Sequence, residues 1–226
     1  MSTKEIKIFD NFLSEEEHKK IYTKMLNPVH NEDGSVERIP WEYCNRKVST
    51  FFHINGGVVS SDKPTVLPYN YGDNDTVGEL RYDTGLNDHM FVHMFYTYDG
   101  RLSPHLSLVN PIMAKIKALA VHRIKANMEL YAGNVPHKSG FHVDWSSPTT
   151  KKGCEHMSVG IYYLNTNNGY TEFKDGSKVE SVANRFVCFD GTTLHRGVAQ
   201  TDTKERIVIN FNYFGDRSDD IDDINN

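Results

Sequence analysis

The chain has 226 residues, three cysteines and a formal net charge of −5, with 38% hydrophobic and 24% charged residues. This composition is that of a soluble globular protein with one well-buried core. We expect no membrane span and no signal peptide, because there is no long apolar run. There is no basic patch to indicate a nucleic-acid partner. Widely spaced cysteines favour a reducing, cytoplasmic setting over a disulfide framework or a zinc knuckle. No sequence feature indicates an oligomeric state.

The N-terminal part is predicted to begin with a strand and a helix. Ile6 to Phe9 is strand-like, and Ser14 with Glu17 forms a capping box for a helix that runs to about Leu26. From 27 to about 104 the periodicity is weak, with short strand-like pieces such as 48–53. Such insertions often carry lids or substrate contacts. A second helix is predicted over 104–119 from apolar residues at helical spacing.

Beyond residue 119 the apolar spacing changes from that of a helix to the alternation of strands. Strand-like segments follow at 126–131, 140–145, 157–164, 170–173, 185–190, 195–199 and 206–214. Short strands joined by Gly, Asn and Asp turns predict a mainly β sandwich or rolled barrel with helices packed on one side. We expect a single domain over 1–226, with an N-terminal part at 1–119, a core at 120–214 and an acidic tail at 215–226.

The last predicted strand has one polar and one apolar face. Its polar face carries Arg206, Asn210 and Asn212, and its apolar face carries Ile207, Ile209, Phe211 and Tyr213. The apolar face is expected to lie under the helices, which leaves the polar face toward a wet interior. A polar interior of this kind predicts a ligand pocket.

The most informative motif is His142-Val143-Asp144, followed much later by His195 and then Arg206. In a strand His142 and Asp144 project to one side, so a distant histidine can complete a three-ligand face. Two neutral imidazoles and one carboxylate suit Fe(II) with open coordination positions. An H-x-D triplet also occurs on ordinary surface strands. The order of the apolar strand, His195 and a strand that starts with an arginine favours the metal site.

Here the sequence resembles the prolyl 4-hydroxylase-like branch of the iron and 2-oxoglutarate-dependent oxygenases. The resemblance covers about 126–214 and the opening at 10–14. Besides the ligand triplet, it rests on Tyr131-Ala132-Gly133, Ile161-Tyr162-Tyr163-Leu164-Asn165, Gly169-Tyr170-Thr171-Glu172-Phe173 and Asn184-Arg185.

The resemblance implies a double-stranded β-helix, or jelly-roll, with Fe(II) held at its mouth by His142, Asp144 and His195. It implies that Arg206 pairs with the distal carboxylate of 2-oxoglutarate, a task that suits a planar guanidinium. Its further implied contacts to the cosubstrate are Tyr163, Tyr131 and Asn210. Dioxygen is the other cosubstrate, and ascorbate is a candidate reductant.

The implied activity is hydroxylation coupled to decarboxylation of 2-oxoglutarate to succinate. Asp144 favours hydroxylation over halogenation, since halogenating relatives have a small residue there. The substrate that we expect is a peptidyl residue such as proline, or a small amino-acid-like or other metabolite. Two alternatives stay open: a jelly-roll binding protein without turnover, and a metal-dependent hydrolase that activates water.

Other residues near the motif have ordinary roles as alternatives. His137 and His156 lack a partner at ligand spacing and are expected on the surface or behind the ligands. Arg185, Trp145 and Asn134 are candidates for the mouth of the substrate site.

Overall fold

The computed structural model describes residues 5–44, 53–54, 57–58, 89–144 and 157–215. Three predicted features therefore lie outside the described residues: most of the strand-like piece at 48–53, the stretch 145–156 with Trp145 and His156, and the acidic tail from 216 onward. Of the long insertion predicted after residue 27, the parts at 27–44 and 89–104 are described, with a short antiparallel pairing of 53–54 with 57–58.

The elements follow one another as a few helices among many strands. The first are β1 (Lys7–Phe9), α1 (Glu15–Leu26), β2 (Val29–His30), β3 (Val36–Glu37), β4 (Glu42–Cys44), β5 (His53–Ile54), β6 (Gly57–Val58) and β7 (Met90–Thr97). A 3-10 turn (Leu106–Val109) and α2 (Asn110–Lys115) come next. The rest are β8 (Ala118–Leu130), β9 (Met157–Tyr163), β10 (Tyr170–Phe173), β11 (Lys178–Glu180), β12 (Arg185–Asp190), β13 (His195–Val198) and β14 (Glu205–Gly215). Within the described residues, neither α1 nor α2 is long and apolar enough to cross a membrane.

Two antiparallel sheets form the core. In the larger sheet the strand order is β1-β12-β9-β14-β8-β7-β4, and in the smaller one it is β11-β10-β13. Isolated bridges join Lys138 to Val198 and His142 to His195, so the segment 138–142 extends the smaller sheet beside β13. An apolar cluster that draws on both sheets lies between them: Val159, Ile161, Tyr163, Phe173, Val179, Val187, Phe189 and Val208.

Successive strands of the core alternate between the two sheets. β8 lies in the larger sheet, 138–142 in the smaller, β9 in the larger, β10 and β11 in the smaller, β12 in the larger, β13 in the smaller and β14 in the larger. This winding is that of a double-stranded β-helix, or jelly-roll. The predicted fold, mainly β with flanking helices, is confirmed.

The two faces of β14 separate as predicted. Ile207, Ile209, Phe211 and Tyr213 pack in one buried cluster with Ile21 and Met25 of α1 and Ile112 of α2. The opposite face carries Arg206, Asn210 and Asn212 toward the space between the sheets. Each fully buried aliphatic or aromatic side chain contributes about 1.5–3 kcal/mol, so this helix-covered face is a principal source of stability.

The first helix begins where the capping box predicts. The backbone N–H of Glu17 donates to Ser14 Oγ, and the Ser14 N–H donates to Glu17 Oε2 at 3.1 Å. Three glutamates in the first turn complement the positive end of the helix dipole. These local interactions involve neighbours in sequence, and for that reason the start of the helix could be predicted without the fold.

The second predicted helix, over 104–119, is wrong in extent. Val109, Ile112 and Ile116 do face the core with at most 1% exposure, but Leu119 is 82% exposed. Lys117 adopts a positive φ of 47°, which ends the helix. From Ala118 the chain pairs with the end of β14 instead. Long-range pairing therefore overrides the helical spacing of the last apolar residues.

The strand predictions also differ from the structure at other places. The strand expected at 126–131 begins earlier, at Ala118. The segment predicted as a strand at 140–145 forms a single bridge at His142, and Asp144 lies in a bend. β7 and β11 were not predicted; β7 reads MFVHMFYT, which is apolar on both faces and lacks the alternation that marks a half-buried strand.

A buried histidine makes the fold sensitive to acid. His93, 4% exposed on β7, has its Nδ1 2.8 Å from the carbonyl oxygen of Pro40 and its Nε2 3.0 Å from Ser103 Oγ. Burial lowers the pKa of His93 below its ordinary value of 6.5, although the Pro40 carbonyl opposes the shift. The unfolded chain therefore binds a proton at a higher pH than the folded chain does.

We expect the free energy of unfolding to fall as the pH drops below about 6.5, through the window that ends at the lowered pKa of His93. Urea unfolding at pH 7 and pH 5 measures this loss. His93→Gln, which keeps a donor for Pro40 but does not titrate, is expected to lose less stability over the same interval. An equal loss in both proteins would contradict the assignment to His93.

Candidate metal centre

His142 and His195 form a cross-strand pair at the edge of the smaller sheet. The N–H of His142 donates to the carbonyl of His195 at 2.9 Å, and the N–H of His195 donates back to His142 at 3.0 Å. Residues that exchange both bonds lie directly opposite each other, with side chains on the same face of the sheet. The ring centroids are 4.6 Å apart. β13 therefore brings together two histidines that are far apart in sequence.

Backbone carbonyls orient both imidazoles in the same way. His142 Nδ1 lies 3.0 Å from the carbonyl oxygen of Gly140, and His195 Nδ1 lies 3.0 Å from that of Thr193. A carbonyl oxygen only accepts hydrogen bonds, so we assign the ring proton to Nδ1 in both. Each Nε2 then keeps its lone pair, the arrangement that prepares a histidine to bind a metal.

Asp144 is held from the larger sheet. Asn212 Nδ2 donates to Asp144 Oδ2 at 2.9 Å, and Arg123 NH2 lies 3.6 Å from Oδ1. Arg123 Nε in turn donates to Asn212 Oδ1 at 2.9 Å. Burial alone would raise the pKa of Asp144, but the positive charge of Arg123, the nearby histidines and the Asn212 hydrogen bond hold it well below its usual range. Asp144 is therefore a carboxylate at neutral pH.

The three side chains converge as a donor set. Ligand atoms of His142, Asp144 and His195 all lie within 4.8 Å of one another. Burial and the neighbouring His195 lower the pKa of His142 to about 4, with Asp144 opposing the shift. His142 is thus neutral at pH 7, as a ligand must be. Two imidazoles and an ionised carboxylate are a ligand set that fits Fe(II).

A second polar cluster surrounds Arg206, which is 4% exposed. Its Nε donates to Ser181 Oγ at 2.9 Å and its NH1 to Glu129 Oε2 at 3.2 Å. The guanidinium lies 5.8 Å from the centre of the Tyr163 ring, and the Tyr163 hydroxyl shares a 2.7 Å hydrogen bond with Thr171 Oγ1. Arg206 and Tyr163, both predicted to contact the cosubstrate, are therefore neighbours.

Gly169 makes room for this arginine, and Gly197 lies beside it. A Cβ on Gly169 would lie 2.7 Å from Arg206 Cδ and 2.8 Å from the Val198 carbonyl oxygen, so only glycine fits there. A Cβ on Gly197 would have Arg206 NH1 and Ser139 Oγ as its nearest neighbours, both at 3.9 Å. Gly197 lies two residues after His195 on β13, and alternation places both on the same face. The guanidinium and the metal-ligand candidates thus share one side of β13.

Asn210 and Tyr131, the other two predicted cosubstrate contacts, differ in their surroundings. Asn210 Oδ1 is buried and has no hydrogen-bond partner among the described residues, and the same is true of Asn127 Oδ1 on β8. Such orphaned acceptors fit a ligand or an ordered water. Tyr131 is 48% exposed and its hydroxyl donates to Asn134 Oδ1 at 2.6 Å. The roles of both residues stay predictions.

His137 and Arg185, which the sequence analysis considered near the metal motif or at the mouth of the substrate site, both lie among the described residues. His137 is buried, with its carbonyl accepting from the Ala199 N–H at 2.8 Å. Arg185 pairs through two hydrogen bonds with Asp10 and thereby ties the segment after β1 to β12. Arg185 is therefore engaged at the N-terminal edge of the larger sheet.

Sequence reasoning missed the contribution of β8 to this interior. Arg123, Lys125 and Glu129 alternate with Ile124, Ala126 and Met128, and β8 pairs with β14 along its length. Burial, reinforced by the charge of Arg123, lowers the pKa of Lys125 to about 8. The alternation is visible in the sequence and could have revealed a polar face, but the strand was expected to begin only at Ala126.

Comparison with known proteins gives structural likenesses only. No protein-family model and no curated protein sequence matches the chain. A collagen prolyl hydroxylase of Paramecium bursaria Chlorella virus 1, solved with 2-oxoglutarate, is 11% identical, with 93% of this chain and 96% of that chain covered and a TM-score of 0.48. A Pseudomonas putida prolyl 4-hydroxylase is 13% identical, with 95% of each chain covered and a TM-score of 0.41.

A third match is a Trichoplax adhaerens prolyl hydroxylase in complex with a peptide fragment of hypoxia inducible factor. It is 13% identical, with 94% of this chain and 84% of that chain covered and a TM-score of 0.48. The matched proteins are prolyl hydroxylases and other 2-oxoglutarate and Fe(II) oxygenases, the family that the sequence resembles. At such low identities and TM-scores, these likenesses carry no argument about residue roles, which must rest on the geometry of the site.

Proposed function

We propose that this chain is an Fe(II)- and 2-oxoglutarate-dependent dioxygenase, with iron on His142, Asp144 and His195 and with 2-oxoglutarate between the iron and Arg206. One observation carries the proposal: the guanidinium of Arg206 lies over Gly197, on the same face of β13 as His195. Metal ligands and a buried cation are thereby set side by side in one interior.

The spacing suits the cosubstrate. Residues two apart on a strand are separated by roughly 7 Å, a span that the five-carbon chain of 2-oxoglutarate can bridge. Its oxo acid end would meet the metal and its distal carboxylate would meet Arg206. The apolar cluster between the sheets, with Phe189 and Phe173 packed against His195, excludes water from one side of this space.

Iron with the bound oxo acid would supply dioxygen activation. In the overall reaction 2-oxoglutarate loses carbon dioxide and becomes succinate, which takes one oxygen atom, while the other enters a C–H bond of the substrate. The chain's own residues hold and orient: two Nδ1–H groups fix the imidazoles, and Asn212 leaves Asp144 Oδ1 for the metal. Asp144 fills the position that a halide would need, which favours hydroxylation.

For the substrate we propose a peptidyl residue, such as proline, or a small amino-acid-like metabolite. This part of the proposal rests on the sequence resemblance. It assigns no role to the residues outside the described part of the chain. Ascorbate is proposed only as a reductant that keeps the metal divalent.

The test is an anaerobic titration of the protein with Fe(II) and then 2-oxoglutarate, followed by admission of oxygen. We expect a charge-transfer absorption band on adding 2-oxoglutarate and succinate after oxygen is admitted. Omission of iron and omission of 2-oxoglutarate are the controls. Metal binding with neither band nor succinate would favour a metal-dependent hydrolase, and a band without succinate, with or without candidate substrates, would favour a binding protein that has lost turnover.

A substitution at Gly197 probes the space between metal and arginine. Gly197→Val places a branched side chain there, in a residue type that strands accept. We expect the affinity for 2-oxoglutarate to fall by about tenfold or more, because steric overlap with the valine would cost about 1.4 kcal/mol or more of binding free energy. Fe(II) should still bind. Isothermal titration calorimetry measures both.

Gly197→Ala is the matched control, because its Cβ would meet only ordinary contacts at 3.9 Å. It is expected to bind 2-oxoglutarate nearly as the wild type does. Equal affinity of the valine variant and the wild type would place the cosubstrate elsewhere.

A further inference from the structure

The buried ion pair of Glu129 and Arg206 is the least expected feature of the interior. The two residues lie directly opposite each other on β8 and β14. Their side chains are 8% and 4% exposed, and Arg206 NH1 lies 3.2 Å from Glu129 Oε2. Charges at such a depth need a partner, since an isolated buried ion is strongly disfavoured. In this structure Glu129 is the carboxylate that compensates Arg206.

The pair changes what Arg206 can offer a ligand. The bonds to Ser181 and Glu129 engage two of the five N–H donors of the guanidinium. A ligand carboxylate that approaches the same guanidinium would stand close to Glu129. Two carboxylates around one buried cation repel each other, and little solvent is available to screen them. An arginine without such a neighbour would bind a carboxylate more tightly.

We propose that Glu129 is a specificity-determining residue at the cosubstrate end of the site: it competes with the distal carboxylate of the 2-oxo acid for Arg206. This inference rests on the proposed function, because it takes Arg206 as the partner of that carboxylate. Two consequences follow. The protein binds 2-oxoglutarate more weakly than its arginine alone would allow, and it discriminates little against 2-oxo acids that lack a distal carboxylate.

Glu129→Gln removes the charge and keeps the shape and an acceptor oxygen for Arg206. We expect the dissociation constant of 2-oxoglutarate to fall by about tenfold or more in this variant, since a like charge no longer opposes the ligand. The dissociation constant of 2-oxobutyrate, which has no distal carboxylate, is expected to stay within about twofold. The preference for the dicarboxylate therefore rises.

The matched control is Glu172→Gln. Glu172 also pairs with an arginine, with its Oε2 2.6 Å from Arg196 NH2. This pair lies on β10 and β13 of the smaller sheet, and alternation along β13 puts the Arg196 side chain on the face opposite to that of His195 and Gly197. Removal of this carboxylate changes the net charge by the same amount. It is expected to leave both dissociation constants unchanged, which separates a local effect at Arg206 from a general effect of charge.

The experiment is calorimetric titration of the full chain with each 2-oxo acid, in the presence of Fe(II) and without oxygen. The proposal is supported if Glu129→Gln, and not Glu172→Gln, binds 2-oxoglutarate more tightly than the wild type does. This holds even if the wild type binds 2-oxoglutarate too weakly to measure. If the wild type binds 2-oxoglutarate and Glu129→Gln binds it equally or more weakly, the role of Glu129 is overturned and the proposed function stands. Absence of 2-oxoglutarate binding in both proteins overturns both.

Thermal unfolding guards against misreading a folding defect. Glu129→Gln leaves Arg206 less well compensated, so we expect the ligand-free variant to unfold at a lower temperature than the wild type. 2-Oxoglutarate with Fe(II) should then raise its midpoint more than that of the wild type. If Glu129→Gln does not fold, Glu129→Asp replaces it in the experiment. This variant moves the carboxylate away from Arg206 by one methylene, so we expect it to bind 2-oxoglutarate more tightly than the wild type does. Unchanged or weaker binding in Glu129→Asp would then overturn the proposal.

Discussion

His142→Ala is expected to lose tight Fe(II) binding and, with it, all measurable succinate formation. The substitution removes one of three ligands and leaves a site that a divalent metal holds poorly. Loss of a hydrogen bond behind a ligand already costs about 10–100-fold in metal affinity, so loss of the ligand itself should cost at least about a hundredfold. Titration of the metal-free protein under nitrogen measures the affinity.

The fold should survive this change, because His142 forms a single bridge with β13 and its backbone bonds do not depend on the side chain. His122→Gln is a suitable control: His122 stacks on Tyr98 with ring centroids 4.5 Å apart and belongs to no metal-ligand group among the described residues. Added metal should raise the unfolding temperature of the wild type and of His122→Gln but not that of His142→Ala. Undiminished metal affinity in His142→Ala would refute the assignment of the site.

Arg206→Met is expected to lose both stability and 2-oxoglutarate binding. The substitution leaves Glu129 buried without its cation, and breaking a buried pair from one side costs about 3–5 kcal/mol. It also removes the proposed partner of the distal carboxylate. Iron should still bind, because Arg206 is not among the ligand candidates. Urea unfolding gives the loss of stability, and calorimetry gives the two affinities.

The double variant Arg206→Met with Glu129→Leu separates the two effects. Replacement of a buried ion pair by apolar residues of similar volume is often neutral or stabilising, so much of the lost stability should return. Binding of 2-oxoglutarate should not. If the double variant bound 2-oxoglutarate as the wild type does, Arg206 would be a structural residue only.

Much of the core could be predicted from local patterns. The alternation in β14 correctly placed Ile207, Ile209 and Phe211 against the helices and Arg206 inside. The capping box located the start of α1. The first pattern reflects the burial of apolar side chains, and the second reflects hydrogen bonds between residues close in sequence. Both depend on the residues themselves and not on distant parts of the chain. The single-domain boundaries and the roles of the site residues stay predictions.

The errors have a common origin in pairing between distant segments. Apolar residues up to Leu119 have helical spacing, yet the chain turns at Lys117 and joins β14, because a strand that completes a sheet gains hydrogen bonds that no local pattern reports. Asp144 was expected to extend a strand beside His142. It lies in a bend instead, where Asn212 and Arg123 of the larger sheet hold its carboxylate.

The sequence by itself determined the donor types: two histidines, an aspartate and an arginine. Their order predicts a metal site, and the family resemblance adds a carboxylate ligand for the arginine. Only the tertiary structure decided their partners. It brought His142 opposite His195, and the pairing of β8 with β14 brought Glu129 opposite Arg206. The residue types carry the chemistry of a site, whereas charge compensation and pKa depend on distances between strands that are remote in sequence and are therefore properties of the fold.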